Sequence, residues 1–511
     1  MDEGPEMDGD ALHSLVMTYD FGTTSLKAAL FDATGQILAH ASELYPLFQR
    51  RVGWAEQNPR SLWDAGGRAG RRALTQSGLS SDAVRSVVFV APWKGIIPVG
   101  KDGEVLRDAI IWMDSRATAE ANRLNERAGE FIGTGQEYWP RLMWLKRREP
   151  DLWRTSQWVM GMNTYLKWMA TGAVVTEPSD DFIRSDRPSL HRRYQKILAA
   201  AGLADDIAKF PPSTAAGEIV GHLTKAAAAH LGLTAGIPVF GGFGDLPAIT
   251  AGANALVPGA THIYLGTSSW LLCVLGADEI IQSSLRVTLD RRYDGAVYGL
   301  QSACLAFDWI VEQVYGLERA KRGEGFLDFV NAQVAELAPG SDNLLATHWL
   351  TGELPPFSKA AKGVYLNLTT VHDRRHMVRA MMESICYSHR MSIEWFESQA
   401  RGHIDEIRVV GGGASSSVWM QMLADVLGRT VLVPDAPRFV GAVGAYRCTL
   451  SANGERALDP QAGECKRYQP QAKAGAVYDR LYKTYRAIHP ALLNIFESLN
   501  GQSGEQDGLA L

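Results

Sequence analysis

Asp20-Phe21-Gly22-Thr23-Thr24-Ser25-Leu26-Lys27 lies between two short apolar runs, Leu15–Tyr19 and Leu26–Phe31, that read as strands. The same design returns at Tyr264-Leu265-Gly266-Thr267-Ser268-Ser269-Trp270-Leu271, between the apolar runs His262–Leu265 and Trp270–Leu275. Gly22 and Gly266 stand about half the chain length apart, which points to duplication of one strand–turn–strand unit. A glycine lets backbone approach an anion, and the N–H and hydroxyl donors around it can wrap a phosphate. Each turn read alone is equally compatible with a hydroxyl-rich β-turn that binds nothing. The two copies differ at their flanks, because Asp20 and Lys27 are replaced by Tyr264 and Leu271. Two similar lobes would therefore offer two polar turns but one acid, an asymmetry that suits a nucleotide–metal site in a cleft between them.

Working outward, strands alternate with helices. A third strand is expected over Gln36–Tyr45, joined to the second by the turn Asp32-Ala33-Thr34-Gly35. Helices are expected over Pro59–Gln76 and Ala117–Ala128, and the aromatics between Trp139 and Ala170 read as core-facing helix positions. Leu246 to Ala277 carries no charged residue, but its prolines, glycines and hydroxyls suit buried strands and turns rather than a membrane span.

A strand Ile407–Val410 runs into Gly411-Gly412-Gly413-Ala414-Ser415-Ser416-Ser417 and a helix through Leu427. That triple glycine is either a tight strand-to-helix turn or a place where a flat base or ribose meets backbone. In Val239-Phe240-Gly241-Gly242-Phe243-Gly244-Asp245-Leu246-Pro247 a helix is expected to start near Pro247. Asp245 is then either the helix cap or a carboxylate able to take a proton from a substrate hydroxyl. Asp20 is either a solvated strand end or an oxygen ligand for Mg2+.

Composition limits the function classes. With 511 residues, 46% apolar and 21% charged, the chain is globular and long enough for two large α/β lobes. Fifty-one basic residues against 56 acidic ones leave a net charge of −5, which gives no support for nucleic-acid binding. Five scattered cysteines without a CxxC pair argue against zinc or a disulfide framework and fit a reducing compartment. Asp20-Phe21-Gly22 spells the protein-kinase DFG but lies too near the N-terminus for that fold, and GxxxxGK[ST], HExxH and a strand-borne GxGxxG are absent. His372 and His376 stand four apart without neighbours that would complete a metal site.

Taken together, DFGTTSLKA, GWAEQNP (53–59), DAIIWMDSRA (108–117), GFGD (242–245), YLGTSS (264–269), LTGELPPF (350–357), GVYLNLT (363–369) and the VVGGGASSSVW–ADVLG segment (409–428) resemble the FGGY carbohydrate kinase family. The sequence is most similar to its xylulokinase-like branch. The resemblance implies α/β architecture: two RNase H-like lobes of the actin/hexokinase/Hsp70 ATPase type with an active-site cleft between them. The expected boundaries are a disordered tail 1–13, an N-terminal lobe 14–253, a C-terminal lobe 254–490 and a tail 491–511. It implies ATP-dependent phosphorylation of a hydroxyl on a small sugar, ketose or polyol, with ATP and Mg2+ as cofactors. Gly22, Thr23, Thr24, Ser25 and Lys27 would line one phosphate loop, Gly266, Thr267 and Ser268 the other, and Gly412, Gly413 and Ser417 the adenosine site. Asp20 would sit at Mg2+ and Asp245 would be the catalytic base.

Two departures bear on the sugar. Xylulokinases typically carry Gln-Met-His-Gly where this chain has Pro92-Trp93-Lys94-Gly95, and Asn-Ala where it has Leu246-Pro247. Trp93 and Lys94 are therefore expected to line an altered substrate pocket, favouring another ketose, a polyol or an acidic sugar over D-xylulose. The rival readings are a sugar-independent nucleotide-binding regulator or ATPase on the same fold, and a decayed kinase that only binds sugar. The remaining expectations are a cytoplasmic protein able to form a homodimer, with no nucleic-acid or membrane partner.

Overall fold

The computed structural model describes residues 15–51, 53–276, 279, 285–354, 357–452 and 465–500. The expected tail 1–13, residues 501–511 of the expected tail 491–511, and Pro355 and Pro356 of the LTGELPPF segment lie outside these residues.

The chain forms two compact units. The first runs to Leu256 and takes in Thr288–Asp294 and a stretch that begins at Phe439. Its sheet is built on β1 (Leu15–Phe21), β2 (Ser25–Phe31), β3 (Ile37–Leu44), β4 (Val84–Ala91), β5 (Ile219–His222) and β6 (Pro238–Phe240), in the order β3-β2-β1-β4-β6-β5. Strands β1, β2 and β3 are antiparallel neighbours; β1 and β6 each run parallel to β4; β5 returns antiparallel to β6. Both faces of the central strands are apolar, and β1, β2 and β4 are buried along almost their whole length, as strands covered by helices on both sides must be.

The second unit begins at Val257 and carries the strands β7 (Thr261–Leu265), β8 (Ser269–Leu275), β9 (Leu285–Thr288), β10 (Asp294–Leu300), β11 (Glu406–Val410), β12 (Thr430–Pro434) and β13 (Cys465–Tyr468). They are ordered β9-β10-β8-β7-β11-β12-β13. The hairpin β7–β8 is antiparallel, β7–β11 and β11–β12 are parallel, and β12–β13 is antiparallel. This repeats the pattern of β1–β2, β1–β4, β4–β6 and β6–β5. The echoed Gly-Thr turns thus occupy the same topological position, the central hairpin of each sheet. The loops differ by one residue: Phe21 pairs with Leu26, but Leu265 pairs with Ser269. Ser269 is consequently a buried strand residue, bonded to the Tyr264 carbonyl and, at 2.8 Å, to His389 Nε2.

Helices α1 (Pro59–Ser77), α2 (Thr118–Ala128), α3 (Tyr138–Arg148), α4 (Met162–Thr171), α5 (Asp245–Gly252), α6 (Arg374–Phe396), α7 (Ser417–Leu427), α8 (Val440–Ala452) and α9 (Ala472–Asn500) complete the parts used below. Four expectations change. The aromatic stretch after Trp139 is not all helix: Pro150 starts a new helical turn, and Ser156–Met160, with Trp158, pairs as a strand with Ile97–Gly100. The helix expected near Pro247 starts at Asp245, and α9 carries the helical chain past residue 490 to Asn500. Finally α8, which follows β12 in the chain, belongs to the first unit, where it packs on α5 through glycines. A Cβ on Gly444 would meet the Ala248 carbonyl oxygen at 1.9 Å, so only glycine permits that helix contact.

Gly411 and Gly412 should separate cleanly on mutation. Gly411 has φ +101°, and an added Cβ would lie 2.5 Å from the Leu265 carbonyl oxygen, whereas one on Gly412 would meet nothing within 4 Å. Gly411→Ala is expected to cost about 2 kcal/mol or more in chemical denaturation, and Gly412→Ala under about 1 kcal/mol. Equal stabilities would show that the β11–α7 turn does not require glycine.

Candidate active site

The first turn is held by backbone and by three side chains from other segments. Gly22 N–H bonds the Ser25 carbonyl at 2.8 Å, Tyr45 N–H bonds the Thr24 carbonyl at 3.1 Å, and the Tyr45 hydroxyl donates to the Gly22 carbonyl. Gln57 Nε2 donates to the Thr23 carbonyl at 2.5 Å, and Trp112 Nε1 donates to the Thr23 hydroxyl at 3.3 Å. The hydroxyl oxygen of Thr23 is thereby used as an acceptor, which leaves its proton to point elsewhere. Gln57 and Trp112 belong to the GWAEQNP and DAIIWMDSRA segments, and those segments are locked together. Glu56 pairs with Arg50, Arg107 and Arg116; Asp114 pairs with Arg116 and accepts the Ala55 N–H at 2.6 Å; Arg116 stacks 3.6 Å from the Trp54 ring. Burial opposes ionisation of Glu56, but the Arg116 hydrogen bond and the charges of Arg116, Arg107 and Arg50 outweigh it and hold its carboxyl below the ordinary value.

The second turn is held differently. The Gly266 carbonyl accepts the Cys304 N–H at 3.0 Å, and the Thr267 carbonyl accepts those of Ala303 and Leu305 at 3.0 and 3.1 Å. The Thr24 and Thr267 side chains are exposed, while Ser25 and Ser268 are half-buried. At the third segment, Gly413 packs against the Leu265 side chain, Gly412 and Ser417 are exposed, and the Ser416 hydroxyl caps α7 by accepting the Trp419 N–H at 3.2 Å.

Asp20 is the next-to-last residue of β1, opposite Lys27 in the β1–β2 register. It is half-buried, and its carboxylate faces Gly441 of α8, where a Cβ would come within 2.5 Å of Oδ2. Burial raises its pKa, and the Lys27 charge offsets only part of that rise. Asp245 is the first residue of α5. The cap position is Gly244, with no side-chain cap bond, so Asp245 is not there to cap the helix. Its Oδ1 accepts the Leu246 N–H at 3.1 Å, and a backbone hydrogen bond from Trp93 also favours the ionised form. Removal from water outweighs both and, with repulsion from the Asp20 charge, lifts the carboxyl to a pKa of about 7.

Sequence reasoning missed the groups that hold Asp245 in place. Lys167 of α4 donates to the Gly241 carbonyl at 2.9 Å, Asn163 to the Phe89 carbonyl at 2.7 Å, and Ser179 Oγ accepts the Gly244 N–H at 3.2 Å. Glu177 accepts from the Ser179 hydroxyl at 2.6 Å, and Asp180 accepts the Lys94 N–H at 2.6 Å. Burial lowers the Lys167 pKa to about 8 and, with the neighbouring Glu177 charge, drives that of Asp180 well up. A usable signal existed in the polar residues Asn163 and Lys167 on the apolar face of α4 and in the acid-dense run Glu177 to Asp181. Trp93 is half-buried and Lys94 is buried, so Lys94 is not a surface charge. His376 bonds Asp373 in the capping box of α6, and no cluster of three metal-ligating side chains occurs among the described residues.

Because folding raises the Asp245 pKa from 3.8 to about 7, the ionised carboxyl opposes folding, fully above pH ~7 and not at all below pH ~4. Asp245→Asn should therefore raise Tm by about 2 °C or more near pH 8, with the gain fading as pH falls toward ~4. A thermal shift series against pH checks this; a gain independent of pH would mean that the carboxyl is not desolvated.

Comparisons with known proteins bear on the family and the fold. The model of the FGGY family of carbohydrate kinases, N-terminal domain, matches residues 15–251, and that of the C-terminal domain matches residues 262–452. The chain is 26% identical over 499 residues to the xylulose kinase of Bacillus subtilis (strain 168), covering 93% of this chain and 96% of that protein. It is 27% identical over 495 residues to the L-xylulose/3-keto-L-gulonate kinase of Escherichia coli (strain K12), with 93% and 96% covered. In fold it is similar to the gluconate kinase from Lactobacillus acidophilus (TM-score 0.80, 21% identity, 95% of this chain and 100% of that one). It is likewise similar to the xylulose kinase from Rhodospirillum rubrum (TM-score 0.75, 24% identity, 94% and 100%). With both family domains matched in order over most of its length, the chain belongs to the FGGY family of carbohydrate kinases.

Proposed function

We propose that the protein transfers the γ-phosphoryl group of ATP to a hydroxyl of a small sugar, ketose or polyol, with Asp245 as the base. The observation that carries this reading is the Asp245 carboxyl itself, desolvated to a pKa of about 7 beside Asp20 at the head of α5. A base with that pKa is about half ionised at neutral pH and basic enough to take the hydroxyl proton as the oxygen attacks. A cap or surface aspartate has no need of such burial.

Phosphoryl transfer asks the protein mainly for position and charge. In this reading Gly22 to Ser25 present N–H and hydroxyl donors to phosphate, with Thr23 oriented by Trp112 and the loop fixed by Gln57 and Tyr45. Lys27 adds a cation on the adjoining strand. Gly266, Thr267 and Ser268 offer a second set of phosphate donors, and Gly412, Gly413 and Ser417 a surface for adenosine. The residues also fit Mg2+: Asp20 and Asp245 are oxygen ligands whose charge is incompletely compensated, and Mg2+ commonly takes one or two carboxylates plus phosphate and water. Asp20 would hold the ion, which when bound neutralises charge on the transferring phosphate. Trp93 and Lys94 line the sugar side, since the Trp93 backbone bonds Asp245. The free cysteines fit a cytoplasmic setting.

ADP release over a panel of ketoses, aldoses, polyols and glycerol tests the activity; ADP release indifferent to every sugar would favour the ATPase reading, and none at all the binding-only one. Asp245→Asn should lower sugar phosphorylation at least ~10²-fold with ATP binding retained. In the parent, kcat/KM should fall on the acid side of pH ~7, tenfold per unit well below it, as Asp245 takes up its proton. Near-normal turnover of Asp245→Asn would remove Asp245 from catalysis. Thr23→Val should raise the ATP KM or lower kcat, losing a hydrogen bond of ~1.5–3 kcal/mol, with Thr23→Ser closer to the parent. Thr267→Val should act in the same direction, and parental kinetics in both valine variants would mean that the turns are only structural.

A further inference from the structure

The LTGELPPF segment takes no part in the site described above, yet its Glu353 is almost fully buried. Glu353 Oε2 lies 3.0 Å from His348 Nε2, with 2% of the glutamate side chain and none of the histidine exposed. Such a pair adds little stability over hydrocarbon of the same volume; what it offers is direction. Here the direction is toward one short segment. Glu353 Oε1 accepts the Gln301 N–H at 2.7 Å and the Leu354 N–H at 2.8 Å, and the His348 carbonyl accepts the Ser302 hydroxyl at 2.7 Å. The His348 ring is set in turn by Ser384 of α6, whose hydroxyl donates to the Met381 carbonyl and accepts from Nδ1 at 3.3 Å. Gln301 and Ser302 lead directly into Ala303, Cys304 and Leu305, whose N–H groups bond the Gly266 and Thr267 carbonyls. The helix Cys304–Arg322 starts there without a side-chain cap, so the second Gly-Thr turn itself satisfies the donors of its first residues. All of these residues lie in the second unit.

We infer that Glu353 is a positioning residue for the second Gly-Thr turn: it holds Gln301 directly and Ser302 through His348, and so fixes the helix start on which the turn hangs. It touches neither the turn nor a ligand. Resting on the reading of that turn as a phosphate loop, the consequence is that ATP affinity depends on Glu353. The first turn is gripped by the side chains of Tyr45, Gln57 and Trp112, whereas the second is gripped through helix backbone and is only as firm as the helix start behind it. Its far end is tied separately, by the bond of Ser269 to His389 of α6. Neutral N–H and hydroxyl donors bind an anion well only while they converge on one point, so a small swing of the helix start misdirects them all together. A side chain that merely filled the Glu353 space would need no acceptor; Glu353→Leu fills it and leaves two backbone N–H groups without their carboxylate partner, while Glu353→Gln keeps a carbonyl oxygen for them.

The test uses ATP and adenosine as probes on the full-length protein, with binding followed by calorimetry well below Tm and amide hydrogen exchange followed at residues 303–305. In Glu353→Leu, ATP should bind at least about fivefold more weakly while adenosine changes less than about twofold, and exchange at 303–305 should quicken at least about tenfold. Glu353→Gln should restore most of both losses. Ser302→Ala removes only the bond to the His348 carbonyl and should move ATP binding and exchange in the same direction by a smaller factor; it carries the test if Glu353→Leu does not fold. A role in stability alone would lower Tm and weaken ATP and adenosine alike. That result, or exchange at 303–305 that the variants leave unaltered, overturns the inference. Faster exchange with ATP affinity unchanged leaves Glu353 positioning the turn and removes the turn from the phosphate site. A parent protein that binds no ATP fails the kinase reading, and exchange at 303–305 still decides the role of Glu353.

Discussion

The first unit depends on keeping one carboxylate, Asp245, out of water. An isolated aspartate at a helix start would be solvated and fully ionised, and nothing else around it would need to be built with care. Here the helix that carries it is closed in by α8 through glycine contacts, and a second carboxylate, Asp20, stands near the end of β1. The desolvation that raises the pKa is a cost to folding, and it is met by a rigid polar scaffold: Lys167, Asn163 and Ser179 each spend their hydrogen bonds on the backbone of residues 241–244 or of β4. Such groups fix the position of the Asp245 carboxyl without touching it.

The same logic explains why the first Gly-Thr turn has so many distant supports. A glycine- and hydroxyl-rich turn has little intrinsic preference for one shape, so its shape must come from outside it. Tyr45, Gln57 and Trp112 supply hydrogen bonds, and the Glu56–Arg116–Asp114 network, with Trp54 stacked on the guanidinium, joins the two segments that deliver Gln57 and Trp112. Buried ion pairs of this kind add little net stability but are strongly directional, which suits a role in placing a loop. The second turn, lacking counterparts of Asp20 and Lys27, is fixed more simply, its Gly266 and Thr267 carbonyls accepting the backbone N–H groups of Ala303, Cys304 and Leu305.

The duplicated topology accounts for both turns. Each sheet places its central antiparallel hairpin beside two parallel strands and an antiparallel edge, and in each the hairpin turn lies at the end of the strand that pairs with the first parallel neighbour. The two units differ in side chains while the backbone order is the same: Tyr264 stands where the first unit has Asp20, a loop shorter by one residue makes Ser269 a buried strand position, and that shift sets Trp270, rather than the Leu271 expected from sequence, opposite Tyr264 where Lys27 stands opposite Asp20.

Much of this was legible in the chain itself. Apolar alternation located the strands, the half-length echo announced two related units, and Gly-Thr turns, Asp20 and Asp245 were identifiable because glycine, hydroxyl and carboxylate chemistry is local to a few residues. Their order, read with the other motifs, pointed to the family. What sequence could not decide depends on distance between segments far apart in the chain. Whether Asp245 caps a helix or stands desolvated is set by α8, almost two hundred residues later, and by Asp20 at the other end of the unit. Whether Lys94 is a free cation is set by Glu137, whose carboxylate pairs with its ammonium, and no residue near it in sequence carries that information. Strand separation and helix start are properties of short windows; burial and charge pairing are properties of the packed unit, because desolvation and Coulomb energy depend on every group within a few ångströms whatever its place in the chain.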